Sequence, residues 1–247
     1  MKQEKRTAIS LEHVTKSFGE KHVLRDVSLA IQEGEAVCLL GRSGTGKSVT
    51  LKLMIALLKP DKGRVWIGDQ DISRLEREEL SQVRRKMGFL FQSAALFDSL
   101  SLHDNLALPL VRMTDKSKAQ IEDTVHDVLS EVGLADDAQS MPADLSGGMK
   151  KRAGLARALM LDPEILLIDE PSSGLDAITA SEIDELLLNR KMRHKTTLVV
   201  VTHDPHGARR VGDRFAVLDQ GSLIAFGSLQ ELEHHPSNIV RKLMAER

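Results

Sequence analysis

Three short apolar runs in this chain show no alternation with polar residues. They span residues 36–40, 165–168 and 198–201. Unbroken runs of this length are typical of strands that are buried on both faces of a parallel sheet. A polar loop follows each run, beginning at Gly41, Asp169 and Thr202. Because ligands of open parallel sheets bind outside the carboxyl ends of the strands, the three loops are expected to form one site.

Other segments near the N-terminus alternate between apolar and polar positions. Apolar residues recur at or near every second position in two of them, and a third short run follows a turn signal at residues 60–63. This pattern predicts a small antiparallel sheet. Its apolar positions are Ile9, Leu11, Val14, Val27, Leu29, Ile31 and the run 65–67.

Helical periodicity marks the middle and the end of the chain. One amphipathic stripe consists of Ile121, Val125, Val128, Leu129 and Val132. The region from residue 92 to residue 161 is therefore interpreted as a helical insert between two sheet-forming halves. Two further helices are predicted, at residues 49–58 and 239–244.

Composition excludes several classes of protein. Hydrophobic residues make up 41% of the 247, which is enough for a core and excludes a disordered chain. A net charge of −2 and only 3% of aromatic residues disfavour nucleic-acid binding. The single cysteine, Cys38, excludes an internal disulfide and a cysteine-rich zinc site. We find no apolar stretch that would span a bilayer and no apolar N-terminal signal, so action at a membrane is expected to require docking onto another chain.

The sequence Gly-Arg-Ser-Gly-Thr-Gly-Lys-Ser at residues 41–48 matches the phosphate-binding P-loop. Its glycines let backbone N–H groups turn toward phosphate oxygens, and the helix that follows adds the positive end of its dipole. Lys47 is predicted to reach the β- and γ-phosphates, and the Ser48 hydroxyl to ligate Mg²⁺. The nucleotide-binding residues predicted in this region are Gly41, Ser43, Gly44, Thr45, Gly46, Lys47, Ser48 and Val49.

Two further motifs supply acids and a second anion site. A buried strand that ends in Asp169 fits the Walker B role of helping to hold Mg²⁺, and Glu170 is placed to orient or deprotonate the attacking water. Earlier in the chain, Ser146 is predicted to cap a helix. Gly147 and Gly148 follow it and leave backbone N–H groups open to an anion.

In this order, the motifs resemble those of the ATP-binding subunits of ABC transporters, and the resemblance covers nearly the whole chain. Residues 145–149 resemble the ABC signature, from which Met149 departs because the usual residue there is Gln. Gln92 matches the Q-loop, residues 173–176 match the D-loop, and His203 matches the switch histidine.

The resemblance implies an α/β fold. Its parts are a P-loop NTPase core with a mostly parallel sheet, a small N-terminal antiparallel β subdomain and a helical insert. It also implies a single ATP-binding domain over residues 1–247. The division expected within it is a nucleotide-binding core with the β subdomain at 7–91 and 162–235, a helical subdomain at 92–161 and a C-terminal tail at 236–247.

The resemblance further implies that ATP and Mg²⁺ are the cofactors. Phe18 occupies the position of the aromatic residue that stacks on adenine. Glu170 would be the catalytic base and His203 would contact the γ-phosphate. Gln92 would sense Mg²⁺ and the attacking water, so that the expected metal ligands are Ser48, Gln92 and Asp169.

A homodimer is also implied, with two ATPs bound between chains that pair head to tail. Each ATP would lie between the P-loop of one chain and the signature turn of the other, formed by Ser146, Gly147 and Gly148. Asp176 of the D-loop would couple the two sites.

Residues 91–100, followed by Asn105 and the run 106–110, are similar to the ATPases of MCE-type phospholipid transporters, the MlaF group. That similarity implies phospholipid transport between the inner and outer membranes, which maintains outer-membrane lipid asymmetry. The chain would lie peripherally on the cytoplasmic face of the inner membrane. The implied partners are an integral permease, an MCE-domain protein and a STAS-domain protein, and the complex rather than this chain would handle the lipid.

The alternative is a cytosolic ABC ATPase without a permease, of the iron–sulfur assembly type. An apolar patch of Ala95, Leu96 and Phe97 suits contact with a permease helix and favours the transporter. Ordinary packing inside the helical insert would explain any one of these three residues equally well.

Overall fold

The computed structural model describes residues 6–245, which form two sheets and a set of helices around three apolar clusters. Strands in that range are β1 (Thr7–Phe18), β2 (Lys21–Gln32), β3 (Ala36–Leu40), β4 (Lys62–Ile67), β5 (Gln70–Asp71), β6 (Met87–Leu90), β7 (Ile165–Asp169), β8 (Thr197–Val201), β9 (Arg214–Asp219) and β10 (Ser222–Gly227). Helices in the same range are α1 (Lys47–Met54), α2 (Arg77–Arg85), α3 (Leu102–Met113), α4 (Lys118–Glu131), α5 (Gly147–Leu159), α6 (Ala177–His194), α7 (Pro205–Val211), α8 (Leu229–Glu233) and α9 (Asn238–Ala245). The first five and last two residues of the predicted domain lie outside the described range.

The larger sheet has the strand order β10-β9-β3-β8-β7-β6, and β10 pairs antiparallel at its edge while the other pairs are parallel. Every residue of β3, β7 and β8 is buried. Within β3, Val37 and Leu39 join one apolar cluster, whereas Cys38 and Leu40 join another on the opposite face. Packing on both faces explains the three unbroken apolar runs, so the predicted parallel core is confirmed.

The smaller sheet has the order β2-β1-β4-β5 and is antiparallel throughout. Ile9 pairs with Ile31 and Leu11 with Leu29. The register then shifts between Leu11 and Val14, where His13 takes a φ of 50°. This irregularity returns Val14 to the buried face after three residues instead of two. It explains why the apolar positions of β1 only approach the period of a strand.

Helix α1 ends earlier than the apolar run at residues 49–58 predicts. Its last residue is Met54, and Ala56 beyond it adopts a left-handed φ of 54°. The Ala56 N–H donates to the Leu53 carbonyl at 3.0 Å and the Leu57 N–H to the Lys52 carbonyl at 2.8 Å. These two bonds form a Schellman cap, which usually has glycine where this chain has alanine. The predicted helix was therefore wrong at its C-terminal end.

Helices α3, α4 and α5 enclose the third apolar cluster. Ile121, Val125 and Leu129 of α4 are buried in it, as the predicted amphipathic stripe requires. Asn105 of α3 is fully buried, and its side chain accepts from the Phe97 N–H at 2.8 Å and donates to the carbonyls of Phe97, Leu100 and Ser101. The helical elements predicted for the middle of the chain are confirmed.

Helix α9 is the predicted amphipathic helix at the end of the chain. Its residues Val240 and Met244 are fully buried and join the cluster that covers one face of the larger sheet, whereas Ile239 is 41% exposed. The helix therefore contributes to the core of its own chain.

We expect Met244→Ala to lower the free energy of unfolding by about 2–5 kcal/mol, because it leaves a cavity beneath α9. Urea denaturation of the purified chain measures this change. The matched control, Ile239→Ala, removes an exposed side chain from the same helix and should change stability by less than about 0.5 kcal/mol. Equal midpoints for both variants and the wild type would show that α9 is not part of the core.

Candidate functional site

The loop between β3 and α1 has a backbone that only glycine accommodates at two points. Gly41 has a φ of 152°, and a Cβ there would overlap the carbonyl oxygen of Leu218. Gly46 has a φ of 105°, and a Cβ there would lie 2.5 Å from Leu24 Cδ2 on β2. The loop thus follows a path between β2 and β9 that larger residues would block.

The N-terminus of α1 has no side-chain cap. Its first turn also contains no acid. In contrast, α3, α4, α5 and α6 each begin at a Ser or Asp whose oxygen accepts from an N–H of the first turn. Backbone N–H groups at an uncapped helix start attract an anion, and the helix dipole adds to the attraction. The start of α1 therefore fits a phosphate group.

The remaining P-loop residues take different positions around that helix start. The buried Lys47 ammonium donates to the carbonyls of Gly41 at 2.8 Å and Arg42 at 3.1 Å. Burial lowers the pKa of Lys47, while the charges of Glu170 and Asp169 oppose that shift. The hydroxyl of the buried Thr45 donates to the backbone carbonyl of Arg42 at 2.9 Å. Ser43 and Gly44 are exposed at the tip of the loop, and Val49 packs against the apolar core.

The Ser48 hydroxyl donates to Asp169 Oδ1 at 2.9 Å. Asp169 is the last residue of β7 and is buried, which raises the pKa of its carboxyl group. The nearby charge of Glu170 raises it further, whereas the Ser48 hydrogen bond lowers it. Hydroxyl and carboxylate oxygens are the ligand types that Mg²⁺ prefers. These two side chains, which meet beside the P-loop, therefore fit a magnesium ion.

Glu170 lies one residue beyond β7, with its side chain turned toward the loop after β8. Its φ is 52°, a left-handed value that is uncommon outside glycine and concentrates at functional sites. Its N–H donates to the Val201 carbonyl at 2.8 Å, and Oε2 lies 2.6 Å from His203 Nδ1. The structure thus brings the predicted base and the predicted switch histidine into direct contact.

Gln92 lies in the loop after β6. It is exposed and lines the same cleft as Asp169, together with Lys52, Phe91 and Ser93. The structure therefore places the predicted metal-sensing glutamine beside one of the predicted metal ligands. The loops after β3, β7 and β8 meet at this edge of the sheet, as the pattern of apolar runs predicts, and the structure adds the loop after β6.

The predicted signature turn and D-loop form a second cleft. Ser146 begins α5 and accepts from the Met149 N–H at 3.2 Å, so the predicted cap is present. Gly147 and Gly148 line this cleft with Asp176. The P-loop residues are not among those that line it.

Asp176 also serves as the N-cap of α6. It accepts from the backbone N–H groups of Ile178 and Thr179 at 3.0 Å and from the Thr179 hydroxyl at 2.8 Å. These hydrogen bonds lower the pKa of its carboxyl group. A Cβ at Gly148 would lie 2.5 Å from Thr179 Cγ2, so the signature turn and the start of α6 pack closely.

Phe18 is the end residue of β1, where β1 turns into β2. Its ring is 49% exposed, and the Lys16 ammonium lies 5.6 Å from the ring centroid. The next strand of this hairpin passes Gly46 through Val23 and Leu24. The predicted adenine-stacking ring therefore projects from a hairpin that contacts the P-loop.

Two cations of α5 were missed by the sequence analysis. Lys151 donates to the carbonyls of Gln92 and Glu170, and Arg157 donates to those of Ala94 and Ala95. The only signal in the sequence is the position of Lys151 on the same helical face as Gly154 and Leu155, where an apolar residue is expected.

The sequence matches the family described as ABC transporter over residues 24–173. It is also 43% identical over 97% of its length to the "Probable ribonucleotide transport ATP-binding protein mkl" of Mycobacterium leprae, of which it covers 69%. The chain belongs to the ABC transporter family. It is an ATP-binding subunit and an ATPase.

Two other comparisons support this assignment of the ABC ATPase. The chain is 41% identical, over 95% of its length, to the chloroplastic protein trigalactosyldiacylglycerol 3 of Arabidopsis thaliana, and it covers 72% of that protein. A solved dimeric ATP-binding cassette in a post-hydrolysis state, bound to ADP and Pi, superposes with a TM-score of 0.83. That structure shares 36% identity, with 89% of this chain and 98% of the other chain covered. Among residues 6–245 of the ABC ATPase, no helix is both long and apolar enough to cross a membrane.

We expect Asp169→Asn to stabilise the ABC ATPase in the absence of nucleotide and Mg²⁺. Because folding raises the pKa of Asp169, its charged form destabilises the folded state at neutral pH. Asparagine keeps an oxygen for Ser48 and removes the charge. The Tm should rise by about 2–4 °C for each kcal/mol that the substitution adds to the free energy of unfolding. Thermal unfolding at neutral pH measures the difference.

The same pair of proteins gives a pH test with a defined sign. The folded wild type binds the Asp169 proton more tightly than the unfolded chain does, so its stability increases as the pH falls through the raised pKa. The Tm difference between wild type and Asp169→Asn should therefore narrow on acidification. Asp98→Asn, at an exposed position, is the control and should leave the Tm unchanged. A lower Tm for Asp169→Asn than for the wild type at neutral pH would show that the charge of Asp169 does not destabilise the folded state.

Proposed function

We propose that this ABC ATPase is the motor of a phospholipid transporter of the MCE-associated MlaF group. In this function, ATP binding closes a dimer of the ATPase and hydrolysis reopens it. The observation that carries the hydrolytic part is the contact of 2.6 Å between Glu170 and His203, at the edge of the sheet where the P-loop and Asp169 also lie.

Glu170 is proposed as the general base and His203 as the group that contacts the γ-phosphate. A carboxylate held by an imidazole is oriented for proton abstraction from water. Lys47 and the N–H groups at the start of α1 would bind the phosphates, and Phe18 would stack on adenine. Mg²⁺, when bound, neutralises charge on the phosphate oxygens. Ser48 and Asp169 would hold it, with Gln92 at the edge of the same cleft.

A head-to-tail homodimer is proposed because each chain carries two separate halves of a nucleotide site. One half is the P-loop with Asp169 and Glu170, and the other is the cleft formed by residues 146–149 and 174–176. Two copies that pair head to tail would place the second half of each chain over the ATP of the other. The similar cassette bound to ADP and Pi is described as dimeric.

We propose the same division of the chain that the sequence predicts. Residues 7–91 and 162–235 would form the nucleotide-binding core with its β subdomain, residues 92–161 the helical subdomain and residues 236–247 the tail. Support comes from the third apolar cluster, whose main members all belong to residues 102–160.

The permease is proposed to dock around Phe97, in the predicted patch of Ala95, Leu96 and Phe97, in which Leu96 packs against the third apolar cluster. The Phe97 side chain is 51% exposed, and Val111 on α3 is 61% exposed, although large apolar residues are more often buried. Asn105 holds the turn that presents Phe97, and the Arg157 guanidinium lies 5.9 Å from the Phe97 ring centroid. An exposed apolar ring on a fixed turn suits contact with a partner helix. This surface favours a transporter over a cytosolic ATPase of the iron–sulfur assembly type.

The cargo proposed is phospholipid moved between the inner and outer membranes, with an MCE-domain protein and a STAS-domain protein as further partners. The ATPase would be peripheral, on the cytoplasmic face of the inner membrane. Support comes from the similarity of residues 91–110 to the MlaF group. The 41% identical relative from Arabidopsis thaliana, which is named after the lipid trigalactosyldiacylglycerol, also supports a lipid cargo. The mycobacterial relative is named for ribonucleotide transport, which makes nucleotide the competing cargo.

We expect Glu170→Gln to lower ATP turnover about 100-fold or more, because glutamine cannot accept the proton. ATP should still bind, and a dimer should accumulate on size-exclusion chromatography with ATP and Mg²⁺. Glu164→Gln is the matched control, since Glu164 is exposed at the other end of β7. Unchanged turnover in Glu170→Gln would remove Glu170 from the role of base.

We expect the tagged chain, purified from gently solubilised membranes of its native cell, to retain an integral permease, an MCE-domain protein and bound phospholipid. Phe97→Asp should weaken recovery of the permease while leaving ATP affinity unchanged, because it places a charge on the proposed docking surface. Recovery with ribonucleotide instead of lipid would contradict the cargo. Recovery only from the soluble fraction would support the cytosolic alternative.

A further inference from the structure

Lys151 connects two loops of the nucleotide site from a position inside α5. It is only 7% exposed. Its ammonium donates to the Gln92 carbonyl at 2.5 Å and to the Glu170 carbonyl at 2.8 Å. The three residues come from α5, the loop after β6 and the end of β7. One side chain therefore sets the spacing between the predicted metal-sensing loop and the predicted base.

Burial of a lysine ammonium lowers the stability of the folded state unless hydrogen bonds or opposite charges compensate the lost hydration. Burial lowers the pKa of Lys151, and the negative charges of Glu170 and Asp169 act in the opposite direction. Both hydrogen bonds go to backbone carbonyls. Removal of the ammonium would take this donor away from both part-buried carbonyls, and the Glu170 carbonyl would keep the longer bond from the Ser173 N–H at 3.4 Å. The contact thus acts on the path of the backbone, independently of the side chains at positions 92 and 170.

Glu170 is held by three groups, two at the end of β8 or just beyond it and one on α5. Its N–H donates to Val201 on β8, its carboxylate contacts His203, and its carbonyl accepts from Lys151. Its left-handed φ of 52° is costly for a residue with a side chain, and it persists only where surrounding contacts enforce it. Lys151 is the contact that comes from the helical part of the chain.

The same face of α5 holds the loop at two further points. Gly154 packs so closely that a Cβ there would lie 2.8 Å from the Ala94 Cβ. Arg157 donates to the Ala95 carbonyl at 2.6 Å and to the Ala94 carbonyl at 3.1 Å. Both alanines have left-handed φ values, 60° and 50°. Positions 151, 154 and 157 recur every three residues and therefore lie along one side of the helix.

We propose that Lys151 is a positioning residue for ATP hydrolysis, which holds the Glu170 carboxylate and the Gln92 loop in register with α5. This inference rests on the proposed role of Glu170 as the base. Helix α5 begins at the signature turn, and the Gln92 loop leads into the proposed permease surface. A displacement of the signature turn or of the Gln92 loop would therefore act on Glu170 through the Lys151 side chain. Lys151 is not one of the groups proposed to bind the phosphates or Mg²⁺, so its loss should affect turnover and leave ATP affinity unchanged.

The test is steady-state ATPase kinetics of the full chain carrying Lys151→Met, which keeps the length of the side chain and removes its donors. We expect kcat to fall roughly 10- to 100-fold, because misplacement of a reacting group by about 1 Å costs that much. The KM for ATP should stay within about twofold, since a loss confined to kcat reports an interaction that matters in the transition state. Lys151→Gln, which retains two amide donors without charge, should recover part of the lost kcat.

Two controls separate positioning from simple destabilisation. Val65→Ala removes a buried side chain of β4 from an apolar cluster that contains no residue of α5, and it provides a loss of Tm without a direct change at the Lys151 contacts. Lys118→Met removes an exposed lysine and should leave kcat unchanged. The proposal is overturned if Lys151→Met keeps the wild-type kcat, or if its loss of kcat is no larger than that of a Val65→Ala protein with an equal loss of Tm.

Failure of this inference can be distinguished from failure of the proposed function. Glu170→Gln tests the base itself. If Glu170→Gln abolishes turnover and Lys151→Met does not reduce it, the site stands and the positioning role of Lys151 is wrong. If Glu170→Gln turns over normally, the role of Glu170 is wrong and the basis of the inference is lost with it.

Discussion

Four charged groups are buried together at the carboxyl edge of the larger sheet, and the loops around them are arranged to stabilise that charge. Lys47, Lys151 and Asp169 are each less than 8% exposed, and the Glu170 side chain is 12% exposed. The two carboxylates raise the pKa of both lysines against the effect of burial. Four backbone carbonyls accept hydrogen bonds from the two ammonium groups. The loops after β3, β6 and β7 are thus joined through compensated charge as well as apolar packing.

The sequence predicted most of the fold because its main determinants are local. Strands buried on both faces must be apolar at every position, and β3, β7 and β8 show this directly. The P-loop could also be predicted, because Gly41 and Gly46 occupy points where a Cβ would collide with neighbouring strands. Each of these positions requires glycine, and the glycines stand within one short motif, so the loop can be recognised without knowledge of distant contacts.

Three features were missed by the sequence analysis, each for its own reason. The end of α1 uses alanine where a glycine would have marked the cap, so the apolar run appeared to continue the helix. Lys151 contacts a carbonyl 59 residues away along the chain, and a carbonyl carries no side-chain signal. The D-loop carboxylate of Asp176 was assigned to coupling between sites, and the structure adds a local role as the cap of α6.

Helix α5 runs from the signature cleft to the contacts of Lys151 with the Gln92 and Glu170 carbonyls. Its first residue, Gly147, belongs to the signature cleft, and Lys151 lies four residues later, about one helical turn away. A helix is stiff over one turn, because its backbone hydrogen bonds link each residue to the one four positions before it. We therefore expect a displacement of the signature turn to move Lys151 and, through its hydrogen bond, the Glu170 carbonyl. With the proposed roles of Glu170 and Lys151, this contact gives a physical route by which closure of one half-site aligns the base of the other.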